Sequence, residues 1–599
     1  MRNLQSQIFS GGTAVSSNIL SLDIMTAVNK IPYAEVVIGE GGTGNKSPLE
    51  LSEATCFEPG SPIEIVLSNS TGTMTFEGIV IKQHLKKNSS NTYLTVDIKD
   101  SAHKLSLTRQ SAVFAQKNDQ TIISDIAKKV GLTVDCATDT LMHKQMVQYY
   151  CTNWDFIVSR AEANGLLVCV ENGKLMLIKP DLTAAATQLS DIREFEIEAD
   201  LSTQYNSVAG VCWDIKELGP VKAVNNNDKN DILKSKHSFS KLAKAMGTDQ
   251  CFLVSGVSGE KAEMTAWANA GLIKNRYSLI RGRISIEGNP TLKLGGMVTI
   301  SEAGDIFGAT AIISGIRHRI NLDGWATDIQ CGLSGKWFYK TEDLVEKPAS
   351  GLLPGINGLQ VGIVEAYPGE GDPDKIDRIK VRIPVFAELD AKPSVIWARL
   401  NQPYAGDQRG FFWVPETGDE VVVGFFNDDP RHAVVLGSLY NGKTKPPLDF
   451  TEKNYDKGII TKNGIKLVFT DEKDKEKLVI TTPGGNKALL EDEKGITVED
   501  KNQNKIILHD KGMSVEDKNK NTVTTTDKGM VIEDTNKNKL TLNNQGLELK
   551  DSNGNAITLS SAGIVVKDMN GNKMALEASG ITVQSSANVT VKGTMINLN

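Results

Sequence analysis

The chain has 599 residues, a formal net charge of −7 and 40% hydrophobic residues. It is too long for one core, so several domains are expected, and its acidic balance argues against a dedicated nucleic-acid binder. No apolar run reaches the eighteen or more residues of a membrane span.

The opening stretch Met1-Arg2-Asn3-Leu4-Gln5-Ser6-Gln7 leads into no apolar segment or small-residue cleavage site, so export without a cleaved leader is expected. Residues 1–350 mix strands with a few helices. Asp119 is placed to cap a helix whose apolar face is Ile122, Ile123, Ile126 and Val130, ended by Gly131; Asn153 is placed to cap another, ended by Gly165. Two strand sets look alike. Pro62-Ile63-Glu64-Ile65-Val66, Gly78-Ile79-Val80-Ile81 and Tyr93-Leu94-Thr95-Val96-Asp97-Ile98 form the first, and Met297-Val298-Thr299-Ile300, Ile312-Ile313-Ser314-Gly315-Ile316 and Thr327-Asp328-Ile329-Gln330 the second.

Motifs that would carry chemistry are few in this region. Gly39-Glu40-Gly41-Gly42-Thr43-Gly44 fits G-x-G-x-x-G, but Asn45-Lys46-Ser47-Pro48 behind it reads as loop instead of the helix a dinucleotide needs. The seven histidines are widely spaced without a zinc-ligand pattern, and no G-x-S-x-G elbow occurs. The seven cysteines never form a C-x-x-C pair, which fits reduced thiols in a chain folded in the cytoplasm. No catalytic residue, metal ligand or cofactor is assigned.

Residues 351–445 read as short strands: Val361-Gly362-Ile363-Val364, Arg378-Ile379-Lys380-Val381-Arg382-Ile383-Pro384 and Glu420-Val421-Val422-Val423-Gly424-Phe425-Phe426. This length of such strands suits a small closed barrel of OB type. Phe411-Phe412-Trp413 could stack bases, but Glu416, Asp419, Glu420, Asp428 and Asp429 crowd the same region and argue against nucleic acid. Three stretches here resemble the gauge domain of the VgrG family of type VI secretion spikes and related phage-tail spikes. They are Trp397-Ala398-Arg399-Leu400-Asn401-Gln402-Pro403-Tyr404-Ala405-Gly406, Val414-Pro415-Glu416-Thr417-Gly418-Asp419-Glu420-Val421-Val422-Val423-Gly424-Phe425 and Asn427-Asp428-Asp429-Pro430-Arg431-His432-Ala433-Val434-Val435-Leu436-Gly437-Ser438-Leu439-Tyr440-Asn441-Gly442. Pro384-Val385-Phe386 departs from the pattern, where many relatives carry tryptophan. Gln148-Tyr149-Tyr150-Cys151-Thr152-Asn153-Trp154-Asp155-Phe156 resembles the tail-hub domain that precedes the gauge domain. The resemblance implies that residues 1–350 form two β-barrels with an inserted α/β part.

A linker is expected over 446–462, and a repeat fills 463–599. The tryptophans and cysteines all lie before residue 414, and beyond about 460 the chain is rich in Lys, Asp, Asn, Thr and Gly. Glycines recur every 17 residues at Gly495, Gly512, Gly529, Gly546, Gly563 and Gly580, each opening a unit such as Gly495-Ile496-Thr497-Val498. Asp and Asn keep step, as in Asp551-Ser552-Asn553-Gly554-Asn555. Each unit reads as two short strands joined at Gly and Asp-x-Asn-x-Asn turns; the latter lack the position-six glycine and closing glutamate of a calcium loop. Two apolar side chains per strand are too little core for one chain, so several chains are expected to share one interior; with three, as the resemblance implies, the corners make a triangular prism, an intertwined triple-stranded β-helix. About twelve strands over 495–599, each advancing about 4.8 Å, would give a rod of about 60 Å.

The fold class expected is mainly β with a few helices: tail-hub-like β-barrel domains, an OB-fold gauge domain and the trimeric β-helix. The resemblance implies a structural homotrimer that punctures membranes at the tip of a contractile injection apparatus, with the lysine- and asparagine-rich rod suggesting a Bacteroidota-like type VI system. Implied partners are an Hcp-like tube hexamer at the N-terminal ring, baseplate proteins, and a PAAR-type tip protein with effectors at Gly593, Thr594, Met595, Ile596, Asn597, Leu598 and Asn599. Contact with the target membrane is expected to be transient, after assembly in the cytoplasm and ejection. An extracellular contractile particle or phage-like tail is the alternative, and a surface-binding β-helical adhesin a weaker one. A spike carrying an enzyme is disfavoured, since about 20 residues separate barrel from rod.

Overall fold

The computed structural model describes residues 4–598 except 41–50, 52–53, 89–90, 137–140, 182–183, 226–238, 248, 308–309, 368–370 and 386–393. The Gly39–Gly44 motif, His237, Phe386 and Asn599 thus lie wholly or partly outside the described residues. The chain divides into two units, residues 1–352 and 353–599.

The first unit is organised by one thirteen-stranded sheet. Strict alternation makes its strands: Ile63, Ile65 and Leu67 of Pro62–Asn69, and Leu94, Val96 and Ile98 of Thr92–Lys99, are buried while their neighbours are not. Both look-alike strand sets belong to this sheet. Each has its own core, one around Ile24, Ile65 and Val96, the other around Ile284, Ile312 and Ile329. The antiparallel pairing of Asn18–Ala27 with Ala311–Asn321 joins them.

An α/β part packs a third core from helices Asp119–Lys129 and Asn153–Ala163 with strands Leu167–Glu171, Lys174–Ile178 and Thr133–Cys136. Both expected caps are displaced by one residue. Asn118 caps the first helix, accepting from Thr121 N at 2.9 Å, and Thr152 caps the second, accepting from Asp155 N at 3.1 Å. Asp119 is drawn inward: its carboxylate accepts from Arg160 Nε and Nη2 at 2.8 Å and Asn164 Nδ2 at 2.8 Å, and lies 3.0 Å from His143 Nε2. These partners hold its carboxyl below the usual range despite burial.

In the second unit, Gln360–Ala366, Ile379–Arg382, Val395–Leu400, Glu420–Phe425 and Ala433–Ser438 close a five-stranded barrel. Val364, Val381, Ala398, Val421, Val423 and Val435 fill it. A fifteen-stranded antiparallel meander follows, from Asp456–Ile460 to Gly580–Gln584. Its first strand lies inside the span read as linker. Four strands precede Gly495, which leaves eleven where the repeat predicts about twelve.

Candidate interaction surface

The C-terminal sheet is built from five-residue strands, so side chains two and four share one face and the others share the opposite one. The pairing stacks these positions into two columns. One runs Ile496, Leu508, Met513, Thr525, Met530, Leu542, and the other Val498, Ile506, Val515, Val523, Ile532, Leu540. They continue to Ile581 and Val583. The opposite face carries the middle residues, among them Thr497, Ser514, Thr524, Thr541, Glu548 and Thr558.

The apolar face has nothing over it in a single chain. Ile496 is 38% exposed, Val498 46%, Leu559 40% and Val566 42%. Among the described residues of this sheet only Ala575 is buried. Natural surfaces seldom leave a contiguous apolar patch this long uncovered.

Turn chemistry holds the layers in place. Asp500 Oδ1 accepts from Asn502 N and Asn504 N, while Oδ2 accepts from Asn504 Nδ2 at 2.7 Å. Asn504 Oδ1 accepts from Lys518 N in the next such turn, at 2.9 Å. The same bond links Asn521 to Thr535, Asn538 to Ser552, Asn555 to Met569 and Asn572 to Ser586. Aspartate therefore closes each turn, and asparagine ties it to the one above. The asparagine and backbone donors hold Asp500, Asp517, Asp534, Asp551 and Asp568 below the ordinary carboxylate range.

At the other edge sit the repeat glycines. A Cβ on Gly495, Gly512, Gly529, Gly546 or Gly563 would lie closer than 3.0 Å to a carbonyl oxygen of the adjacent strand, and each has positive φ, such as +132° at Gly546. Gly580, with φ +126°, opens the last strand and would meet nothing within 4 Å. Downstream of it, Gly593, Thr594, Met595, Ile596, Asn597 and Leu598 carry no strand, and Met595 and Leu598 are 79% and 91% exposed.

On the barrel, Phe411, Phe412 and Trp413 are exposed. Four of the five acids nearby are engaged: Glu416 binds Lys462 at 2.8 Å, Asp419 accepts from Glu416 N, Glu420 accepts from Asn441 Nδ2 at 2.8 Å, and Asp429 binds Arg431 at 2.6 Å. Among the described residues no three His, Cys, Asp or Glu side chains gather as a metal site, and no helix is long and apolar enough to cross a membrane.

Two family profiles match. The Alg8 N-terminal domain matches residues 1–321, more than half of the chain. The chain belongs to the Alg8 N-terminal domain family. In this Alg8-family chain, residues 360–440 match the type VI secretion system/phage-baseplate injector OB domain, which coincides with the closed barrel. Curated relatives match over parts. The type VI secretion system spike protein VgrG1a of Pseudomonas aeruginosa is 24% identical over 203 residues, 31% of each chain. The actin cross-linking toxin VgrG1 of Vibrio cholerae is 32% identical over 101 residues, 16% of this chain and 9% of its own length. The matches thus span about a third or less of these relatives. Among solved structures, the 43 kDa tail protein of prophage MuSo2 from Shewanella oneidensis aligns over 55% of this chain and 98% of its own, at 12% identity and a TM-score of 0.43.

Proposed function

We propose that three copies of this chain form the puncturing spike at the tip of a contractile injection apparatus of the type VI class. One observation carries this reading: the fourteen strands from Lys466–Thr470 onward present an apolar face, broken only at Thr525, that covers no core of its own. Three such sheets, apolar faces inward, close a triangular prism whose interior all chains share. Covering each half-exposed side chain is worth roughly 1 kcal/mol at about 25 cal/mol per Å². Summed over both columns, that exceeds the about 5–15 kcal/mol of a typical net stability.

In this reading residues 1–350 form the hub and dock on an Hcp-like tube hexamer held by baseplate proteins. Residues 351–445 form the gauge barrel, 446–462 the linker and 463–599 the spike. The end at Gly593, Thr594, Met595, Ile596, Asn597, Leu598 and Asn599 seats a PAAR-type tip protein with its effectors. The role is mechanical, with no catalytic residue and no cofactor. The spike assembles in the cytoplasm, leaves by ejection and touches the target membrane transiently. The lysine- and asparagine-rich sheet supports a Bacteroidota-like type VI system. A second reading, the spike of an extracellular contractile particle or phage-like tail, is favoured by residues 360–440 matching an OB domain described for phage-baseplate injectors as well as type VI systems.

Light scattering on the purified chain, before and after mild detergent, tests the assembly. A detergent-resistant mass of three times 65.0 kDa supports it. A monomer would refute the shared interior.

A further inference from the structure

The two inward columns are apolar at every position from Leu467 and Phe469 to Val583 and Ile581, with one interruption at Thr525. Thr522, Thr524 and Thr526 of the same strand lie on the opposite face, which mixes polar residues with Ile507, Val531 and Val565 and where threonine is an ordinary strand residue. Thr525 has no such reason to be there. At the equivalent place of the 17-residue unit the chain has Leu508, Leu542, Leu559 and Leu576. The side chains paired with it on either side, Met513 and Met530, also depart from the repeat, which has Ile496, Leu547, Ile564 and Ile581 at their place. Methionine is the side chain that adapts to irregular space. The Thr525 hydroxyl donates to the Met513 carbonyl oxygen at 3.4 Å, a contact long enough to yield to a better partner.

We propose that in the trimer the three Thr525 hydroxyls converge on the shared interior and hold ordered water, making one hydrated polar layer in an otherwise dry core. This rests on the trimeric reading above. Each hydroxyl offers one donor and two acceptor sites and water offers two of each, so the group satisfies itself without a charge. Threonine has one heavy atom fewer than leucine. Three copies therefore open space on the order of one water, whose share of liquid volume is about 30 Å³. The flanking methionines fold over what remains. The layer also marks register: a slip of one chain by a whole unit would face a hydroxyl with leucine and leave it unpaired.

The test is a map of the full-length trimer at a resolution that shows ordered water, for the wild type and for Thr525→Val, with masses from light scattering. The wild type is expected to show non-protein density within hydrogen-bonding distance of three Oγ1 atoms. Thr525→Val is expected to keep the trimer mass, lose the density and unfold at the same temperature or higher, because all three hydroxyls leave together and no polar group is stranded. A wild-type trimer with a dry layer would overturn the proposal and spare the trimer. So would a Thr525→Val trimer that melts several degrees lower, which would show the hydroxyl serving its own Met513 carbonyl. A monomer would overturn the trimer and the layer together.

Discussion

Replacing a repeat glycine by alanine separates two costs that usually arrive together. Gly546 and Gly580 have nearly the same backbone, φ +132° and +126°, a region open to glycine and strained for any other residue. They differ in what a Cβ would strike. At Gly546 it would collide with the Leu559 carbonyl oxygen, with the Ser560 Cα at 3.1 Å, because the strand Ala556–Ser560 lies alongside. At Gly580 it would strike nothing. The shared strain costs about 1–3 kcal/mol per chain. Moving the Leu559 carbonyl out of its ladder bond adds about 1–3 kcal/mol at Gly546 alone. Gly546→Ala should therefore lower the unfolding midpoint of the C-terminal sheet clearly more than Gly580→Ala, with the difference multiplied threefold in a trimer. Circular dichroism melts of the two full-length variants, run at matched concentration, measure it. Equal midpoints would refute the argument that a neighbouring carbonyl selects glycine every 17 residues.

Three further outcomes follow from the same geometry. Ile564→Asp with Val566→Asp should abolish assembly, since three copies would bury six carboxylates in one dry interior; a heat-resistant trimer on light scattering would contradict the shared core. Asn555→Ala removes both the bond to Asp551 Oδ2 and the bond from Met569 N, so it should cost about 1–2 kcal/mol per chain in a denaturant titration, whereas Asn544→Ala at the opposite edge should stay within about 0.5 kcal/mol. His318 supplies a pH dependence. Burial pushes its imidazole down from 6.5 to about 4, with its Nδ1 accepting from Trp325 Nε1 at 3.2 Å. A depressed histidine favours the neutral folded form, so stability is full above pH 6.5 and falls by about 3 kcal/mol as pH drops toward 4. Thermal midpoints measured across that window should fall in the wild type and flatten in His318→Gln, which keeps an acceptor but cannot titrate.

The second unit was more legible than the first, for a physical reason. Apart from the two pairings that close its barrel, its strands pair with neighbours in sequence, so turn residues and alternation describe most of its contacts locally. Glycine beside a carbonyl, aspartate folding back on its own turn and apolar pairs at positions two and four all leave marks at fixed spacing. The four strands before Gly495 escaped because their starts, at Asp456, Lys466, Lys477 and Lys487, do not keep the 17-residue beat. One signal was available: Thr482-Pro483-Gly484-Gly485-Asn486 has the length of the Asp-x-Asn-x-Asn turn, and Asn486 Oδ1 accepts from Lys501 N as its counterparts do. The caps at Asn118 and Thr152 were missed by one residue for the opposite reason. Asn118 and Asp119 are both capable caps, and Arg160, 41 residues away, claims the aspartate.

By itself the sequence determined the period, the turns, three of the five barrel strands and a strand pattern with too little core for one chain, since each is set by neighbours along the chain. Tertiary structure alone decided that Asn18–Ala27 pairs with a strand nearly 300 residues away, and that two look-alike strand sets share one sheet. It alone set Met513 and Met530 across the ladder from Thr525. Which residues lie across a ladder depends on register, and a shift of one residue would have turned every one of these side chains to the other face.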